Sequence, residues 1–181
     1  SERAAATALQ RSLLPARLPS VPGGELAARY VPGGEAGVGG DWYDVFTLPS
    51  GRLGVVIGDV VSHGLRAAVI MGRMRSALRA YALETEDPAV VLEKLDRETG
   101  NFEPGVMATV GFAIYDGLVE RRNIPVDDGL NRLCGVLEAG SSAEGACATI
   151  MDKLLAGQDP NDDIALVILC QTSAPNPAEE E

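Results

Sequence analysis

The sequence predicts an α+β fold of stacked helix and sheet layers. Three observations carry this prediction. Short apolar runs bounded by Gly and Pro come first, helical periodicity follows, and strands and helices then mix without the regular βαβ alternation of a parallel sheet. Hydrophobic residues make up 46% of 181, enough for the core of one domain of ordinary size. Aromatics are only 4%, so Val, Leu, Ile and Ala must fill that core.

Residues 2–14 hold Ala4, Ala5, Ala6, Ala8, Leu9, Leu13 and Leu14 with few breakers. They predict a helix stopped at Pro15, either a simple capping helix or the end of a signalling helix from an upstream domain. Residues 15–24 are rich in Pro and Gly and read as a linker. Strands are predicted over 25–31, 42–48 and 53–57, with turns at Pro32-Gly33-Gly34 and Pro49-Ser50-Gly51. Ser62 is the expected N-cap of a long helix reaching Leu83. Ala67, Met71, Met74, Leu78 and Tyr81 form its apolar stripe, and Arg66, Arg73, Arg75 and Arg79 lie off it. Pro88 opens a second helix to about Arg97. A strand over 107–115, helices over 127–138 and 143–154, and a buried strand over 164–169 follow. Residues 1–24 thus form an N-terminal helix and linker, and 25–170 the main domain. The acidic, Pro-rich stretch 171–181 is a predicted disordered tail.

The formal net charge is −11, which repels nucleic acid and anionic membranes. The acid excess reads as a solvated surface or, more sharply, as a carboxylate cluster that needs cations. Cys134, Cys147 and Cys170 are an odd number without CxxC spacing. They argue against a disulfide framework or structural zinc site and fit a reducing cytosol. The longest clean apolar run, 164–170, is far short of the roughly 20 residues that span a bilayer. The expectation is a soluble cytoplasmic domain.

Carboxylates follow or precede several apolar strands directly. Asp41 lies in Gly39-Gly40-Asp41-Trp42-Tyr43-Asp44, Asp59 ends Val55-Val56-Ile57-Gly58-Asp59, and Asp116 follows Phe112-Ala113-Ile114-Tyr115. Asp162 and Asp163 precede Ile164-Ala165-Leu166. Any one of them is most simply a turn residue. As a set at one sheet edge they would repel one another unless a cation lies between them. Mg²⁺ and Mn²⁺ take such oxygen ligands. A pair of them lowers the pKa of a shared water, so that hydroxide can attack phosphorus while the ions hold the phosphoryl oxygens. His63 is the single histidine, and no GxSxG, P-loop or GxGxxG is present.

The motifs Gly39 to Asp44, Gly58-Asp59-Val60-Val61-Ser62-His63-Gly64, Asp116-Gly117-Leu118-Val119-Glu120 and Asn161-Asp162-Asp163-Ile164-Ala165-Leu166 occur in that order. Together with Leu9-Gln10-Arg11-Ser12-Leu13-Leu14-Pro15 they resemble the PPM-type (type 2C-like) serine/threonine phosphatases of the SpoIIE/RsbU group, which regulate bacterial sigma factors. The resemblance implies an αββα sandwich of two antiparallel sheets flanked by helices, with two Mn²⁺ or Mg²⁺ ions at one end. It implies that Asp41 acts on the metal pair, that Asp59 bridges both ions and that the Val60 carbonyl completes one site. Asp116 and Asp162 are then ligands of the second ion. Asp44 and Asp163 are expected to support the ligands or cap turns. His63 is a candidate acid for the leaving oxygen or a polar residue of the first helical turn. The arginines of the long helix either meet a phosphate or pair with neighbouring acids. The implied reaction is hydrolysis of phosphoserine or phosphothreonine without a phosphoenzyme, on a STAS-type anti-sigma-factor antagonist. An upstream sensor domain and dimerisation through the N-terminal helix belong to the same picture. A catalytically weak, phosphatase-like binding module is the alternative.

The chain departs from the pattern at Tyr115, where Thr or Ser is usual, and at Val61-Ser62, where Ser-Gly is commoner. Several strands usually separate the 107–115 strand from the Asp116-Gly117 motif, and here the two are fused. A central segment is therefore missing from the chain as numbered, by true deletion or by closure of a gap, and the join falls on either side of Asp116. The second explanation is favoured, because a strand cannot end one motif and begin the next without its hairpin partners.

Overall fold

The structure is a computed structural model that describes residues 2–21, 24–32, 38–115, 142–155 and 164–171. Asp116, Asp162, Asp163, the helix expected over 127–138 and the tail beyond Gln171 lie outside these residues. The described elements are α1 (Glu2–Leu13), β1 (Gly24–Val31), β2 (Asp41–Thr47), β3 (Leu53–Val60), α2 (Gly64–Glu84), α3 (Pro88–Phe102), β4 (Ala108–Tyr115), α4 (Ala143–Leu155) and β5 (Ile164–Gln171).

The strands form two antiparallel sheets. One has the order β2-β3-β4 and the other pairs β1 with β5. Strand alternation sends successive side chains to opposite faces, and the packing follows it. Tyr43, Val45 and Leu53 pack against Leu26, Ala28 and Tyr30 of β1 and Ala165, Val167 and Leu169 of β5. That layer joins the two sheets. Trp42, Val56, Val60 and Phe112 point the other way, into a core with Ala6 of α1, Ile70, Met71, Met74 and Leu78 of α2, and Val91 and Leu95 of α3. On the outer face of the second sheet, Ala27 packs with Ala143 and Cys147 of α4. The expected αββα sandwich is therefore observed.

Helix boundaries differ from expectation in two places. Ser62 was the expected N-cap of α2, but His63 holds that position, in extended conformation and without a side-chain cap. The Ser62 N–H turns back to the Val60 carbonyl at 2.7 Å, so the chain cannot enter the helix there. Gly64 then opens α2 at φ +68°, a region that favours glycine. α3 runs past Arg97 to Phe102. Thr99 is buried one turn beyond Val91 and Leu95, which continues the apolar stripe. Asp87 caps this helix, accepting from the Ala89 and Val90 amides. α1 lies against α2 where Gly72 leaves room for Leu13: a Cβ on Gly72 would come within 3.0 Å of Leu13 Cδ2.

Candidate metal centre

β2 and β3 are joined by the tight turn at Pro49-Ser50-Gly51, and that turn fixes their register. Asp41 is the direct cross-strand partner of Asp59. Such partners lie about 4.5–5.5 Å apart between Cα atoms. Asp41 shares its face with Tyr43 and Val45, and Asp59 shares its face with Leu53 and Val55. Both carboxylates therefore stand on the inter-sheet face, at the open end of the strands. Asp59 is exposed and Asp41 half-buried. Like charges directly opposite in a ladder weaken it, and a cation between the two carboxylates would relieve that repulsion.

Gly40 shapes the site from the other side. A Cβ on Gly40 would lie 1.9 Å from the Val60 carbonyl oxygen and 2.7 Å from Asp59 Oδ1. Only glycine lets the backbone before Asp41 come this close to two oxygen donors. The Gly40 carbonyl accepts from the Val60 N–H at 3.0 Å, and the Val38 carbonyl accepts from the Gly64 N–H at 3.0 Å. Among the described residues the Val60 carbonyl accepts one hydrogen bond, from the Ser62 N–H, and a carbonyl oxygen has two lone pairs. Asp41, Asp59 and the Val60 carbonyl thus form a set of hard oxygen donors suited to Mg²⁺ or Mn²⁺. Among the described residues no group of three or more His, Cys, Asp or Glu side chains converges. The other expected ligands, Asp116 and Asp162, lie outside the described residues, as does Asp163.

Asp44 lies on the opposite face of β2 from Asp41 and is fully buried. Its Oδ2 and Oδ1 accept from Arg79 Nε at 2.5 Å and Arg79 Nη2 at 2.7 Å. Arg75 Nε lies 3.1 Å from Oδ2 and adds charge without an aligned hydrogen bond. The Asp44 carboxylate, first among the causes, holds the Arg79 guanidinium above its ordinary pKa against the cost of its burial. Arg79 also stacks over Phe46. Asp44 therefore clamps β2 to α2. Of the other arginines, Arg66 pairs with Glu103 and Arg73 lies over Phe102. His63 is exposed at the start of α2, close in sequence to Asp59. Beside it the Val61 N–H donates to the Met107 carbonyl at 2.8 Å, and both side chains are exposed, at 68% and 71%.

Residues 49–116 match the family model of stage II sporulation protein E, SpoIIE. Protein IcfG of Synechocystis sp. is 40% identical over 77 residues, which are 42% of this chain and 12% of that protein. The structure resembles the RsbU and RsbW domains of a Mycobacterium tuberculosis protein, with a TM-score of 0.67 and 24% identity; the match covers 91% of this chain and 64% of that one. It also resembles the SiaA-PP2C domain of Pseudomonas aeruginosa, with a TM-score of 0.63 and 17% identity over 95% of this chain and 96% of that one. The phosphatase domain of SpoIIE from Bacillus subtilis gives 0.53 and 13%, over 90% of this chain and 99% of that one. The chain thus spans under two thirds of the M. tuberculosis structure and a small part of IcfG. Its likeness to the SpoIIE/RsbU-type phosphatases is carried by sequence over residues 49–116 and by fold over most of its length.

Proposed function

We propose that this chain, which has the fold of PP2C-type phosphatase domains and matches SpoIIE over residues 49–116, is a metal-dependent protein serine/threonine phosphatase. The observation that carries the reading is the cross-strand pair Asp41–Asp59 on one face, with Gly40 bringing the backbone against Asp59 and the Val60 carbonyl. Two Mn²⁺ or Mg²⁺ ions, when bound, supply charge for the phosphoryl oxygens and an activated water. Asp59, exposed near the end of β3, would be the ligand shared by the ions. Asp41 orients from the neighbouring strand, and the Val60 carbonyl adds a neutral donor. Asp116 and Asp162 complete the proposed ligand set. His63, exposed at the start of α2, is the proposed donor of a proton to the departing seryl or threonyl oxygen.

The rim supports a protein substrate. Val61 and Met107 expose apolar surface beside Asp59, which a folded partner can cover. The proposed substrate is a phosphorylated STAS-type anti-sigma-factor antagonist in the cytoplasm. The M. tuberculosis neighbour, which combines RsbU and RsbW domains, is consistent with such partner switching. A sensor domain upstream of α1 and dimerisation through α1 belong to the same proposal.

The test is phosphate release from a small aryl phosphate by the folded chain. Release should require Mn²⁺ and fall by about two orders of magnitude or more in Asp59→Asn, because each 1.36 kcal/mol of lost transition-state stabilisation is tenfold. Absent release would instead favour a phosphatase-like module that binds without turnover, and manganese-independent release would overturn the metal-dependent mechanism.

A further inference from the structure

We propose that Gln10 of α1 is a positioning residue that fixes the metal-binding end of β2; the inference rests on the phosphatase reading above. Gln10 is 2% exposed, and an amide in that environment is expected to have hydrogen-bond partners. Its Nε2 donates to the Tyr30 hydroxyl and, at 3.5 Å, to the Gly39 carbonyl. The amide has two N–H donors, and these two acceptors match them.

The context gives the bond its meaning. Three successive carbonyls precede Asp41. Val38 and Gly40 accept from the Gly64 and Val60 amides, both on the connection from β3 into α2. Gly39, between them, accepts from α1 instead. Gly39 and Gly40 have no side chains to pack, and Gly40 can carry none, with the Val60 oxygen 1.9 Å from where its Cβ would be. The direction in which the chain enters β2 is therefore set through its carbonyls. Of these three bonds, only that of Gln10 comes from a side chain. Removing it lets the Gly39 peptide rotate, and rotation there moves Asp41 relative to Asp59. α1 thus reaches the candidate metal centre through an amide that lies 31 positions before Asp41 in the chain.

Two variants separate this role from packing. Gln10→Leu keeps the volume and removes both donors. Gln10→Glu keeps the shape and can accept from the Tyr30 hydroxyl in place of donating to it, but places an acceptor against the Gly39 carbonyl. The first readout is amide hydrogen exchange in the metal-free full chain. Val60 and Gly64 should exchange up to about fivefold faster in both variants, the factor that one hydrogen bond of about 1 kcal/mol allows. Val56, at the centre of β3, should change by less than about twofold. The second readout is direct Mn²⁺ binding by electron paramagnetic resonance, which should weaken up to about fivefold. Unchanged exchange at Val60 and Gly64, or equal acceleration at Val56, overturns the proposal. A wild-type chain that binds Mn²⁺ but releases no phosphate sinks the phosphatase reading and leaves the exchange result to decide on Gln10. Mn²⁺-dependent hydrolysis with unaltered exchange and metal binding in both variants sinks only the role of Gln10.

Discussion

At the scale of single residues, the site combines repulsion with close approach. Asp41 and Asp59 face each other across the ladder, and like charges directly opposite weaken a ladder. Asp59→Asn should raise the melting temperature of the metal-free chain slightly and abolish the rise that Mn²⁺ gives the wild type. Thermal unfolding with and without Mn²⁺ checks both signs, and a purely structural Asp59 gives neither. Gly40→Ala is expected to cost about 1–3 kcal/mol in urea unfolding, because the methyl group meets a backbone carbonyl that cannot move aside.

At the scale of elements, two polar ties hold the site's strands. Asp44→Ala should destabilise the fold by about 1–3 kcal/mol, since it removes the charged hydrogen bonds that tie β2 to Arg79, while the partly exposed Arg79 and Arg75 can turn to water. Asp44→Ala should also be far worse than any change at exposed Arg66, and chemical denaturation measures the difference. The second tie lies at the β2–β3 turn. Glu86 accepts from the Ser50 hydroxyl and amide and from Arg52. The Ser50 hydroxyl bond, then its amide and the Arg52 charge, hold the Glu86 carboxyl below its ordinary 4.5 despite the opposing effect of burial. The folded value is depressed, so this contribution is present above pH 4.5 and is lost as the pH falls through the folded value. Glu86→Gln should accordingly flatten the acid limb of the stability profile and leave neutral pH less stable.

At the scale of the whole molecule, the candidate site lies at one end of the inter-sheet layer, and that layer must stay packed for the pair to face outward together. Leu53→Ala, at a position 4% exposed between the sheets, should cost about 2–5 kcal/mol. It should lower Mn²⁺ affinity only as far as the fold itself is lost, which separates it from the Gln10 variants. The net charge of −11 adds a general attraction for divalent cations that salt screens. Mn²⁺ binding that survives raised ionic strength therefore reports the built site rather than the overall field.

The order of strands and helices, the α2 stripe and the positions of Asp41 and Asp59 at strand ends were all legible in the chain. Apolar period and turn residues are local properties, and local properties are written in adjacent letters. The ordered motifs also carried the resemblance from which the sandwich and the metal chemistry were expected. Tertiary structure alone decided that Asp41 and Asp59 are register partners, that Asp44 turns away from them onto Arg79, and that Gln10 reaches Gly39. Facing and register depend on which residue opposes which across space, and a charged or polar letter reads the same whether it meets water, an arginine or a backbone carbonyl. That is why Arg75 and Arg79 looked like surface charge in an off-stripe pattern, and why a glutamine in an alanine-rich helix gave no sign of its burial.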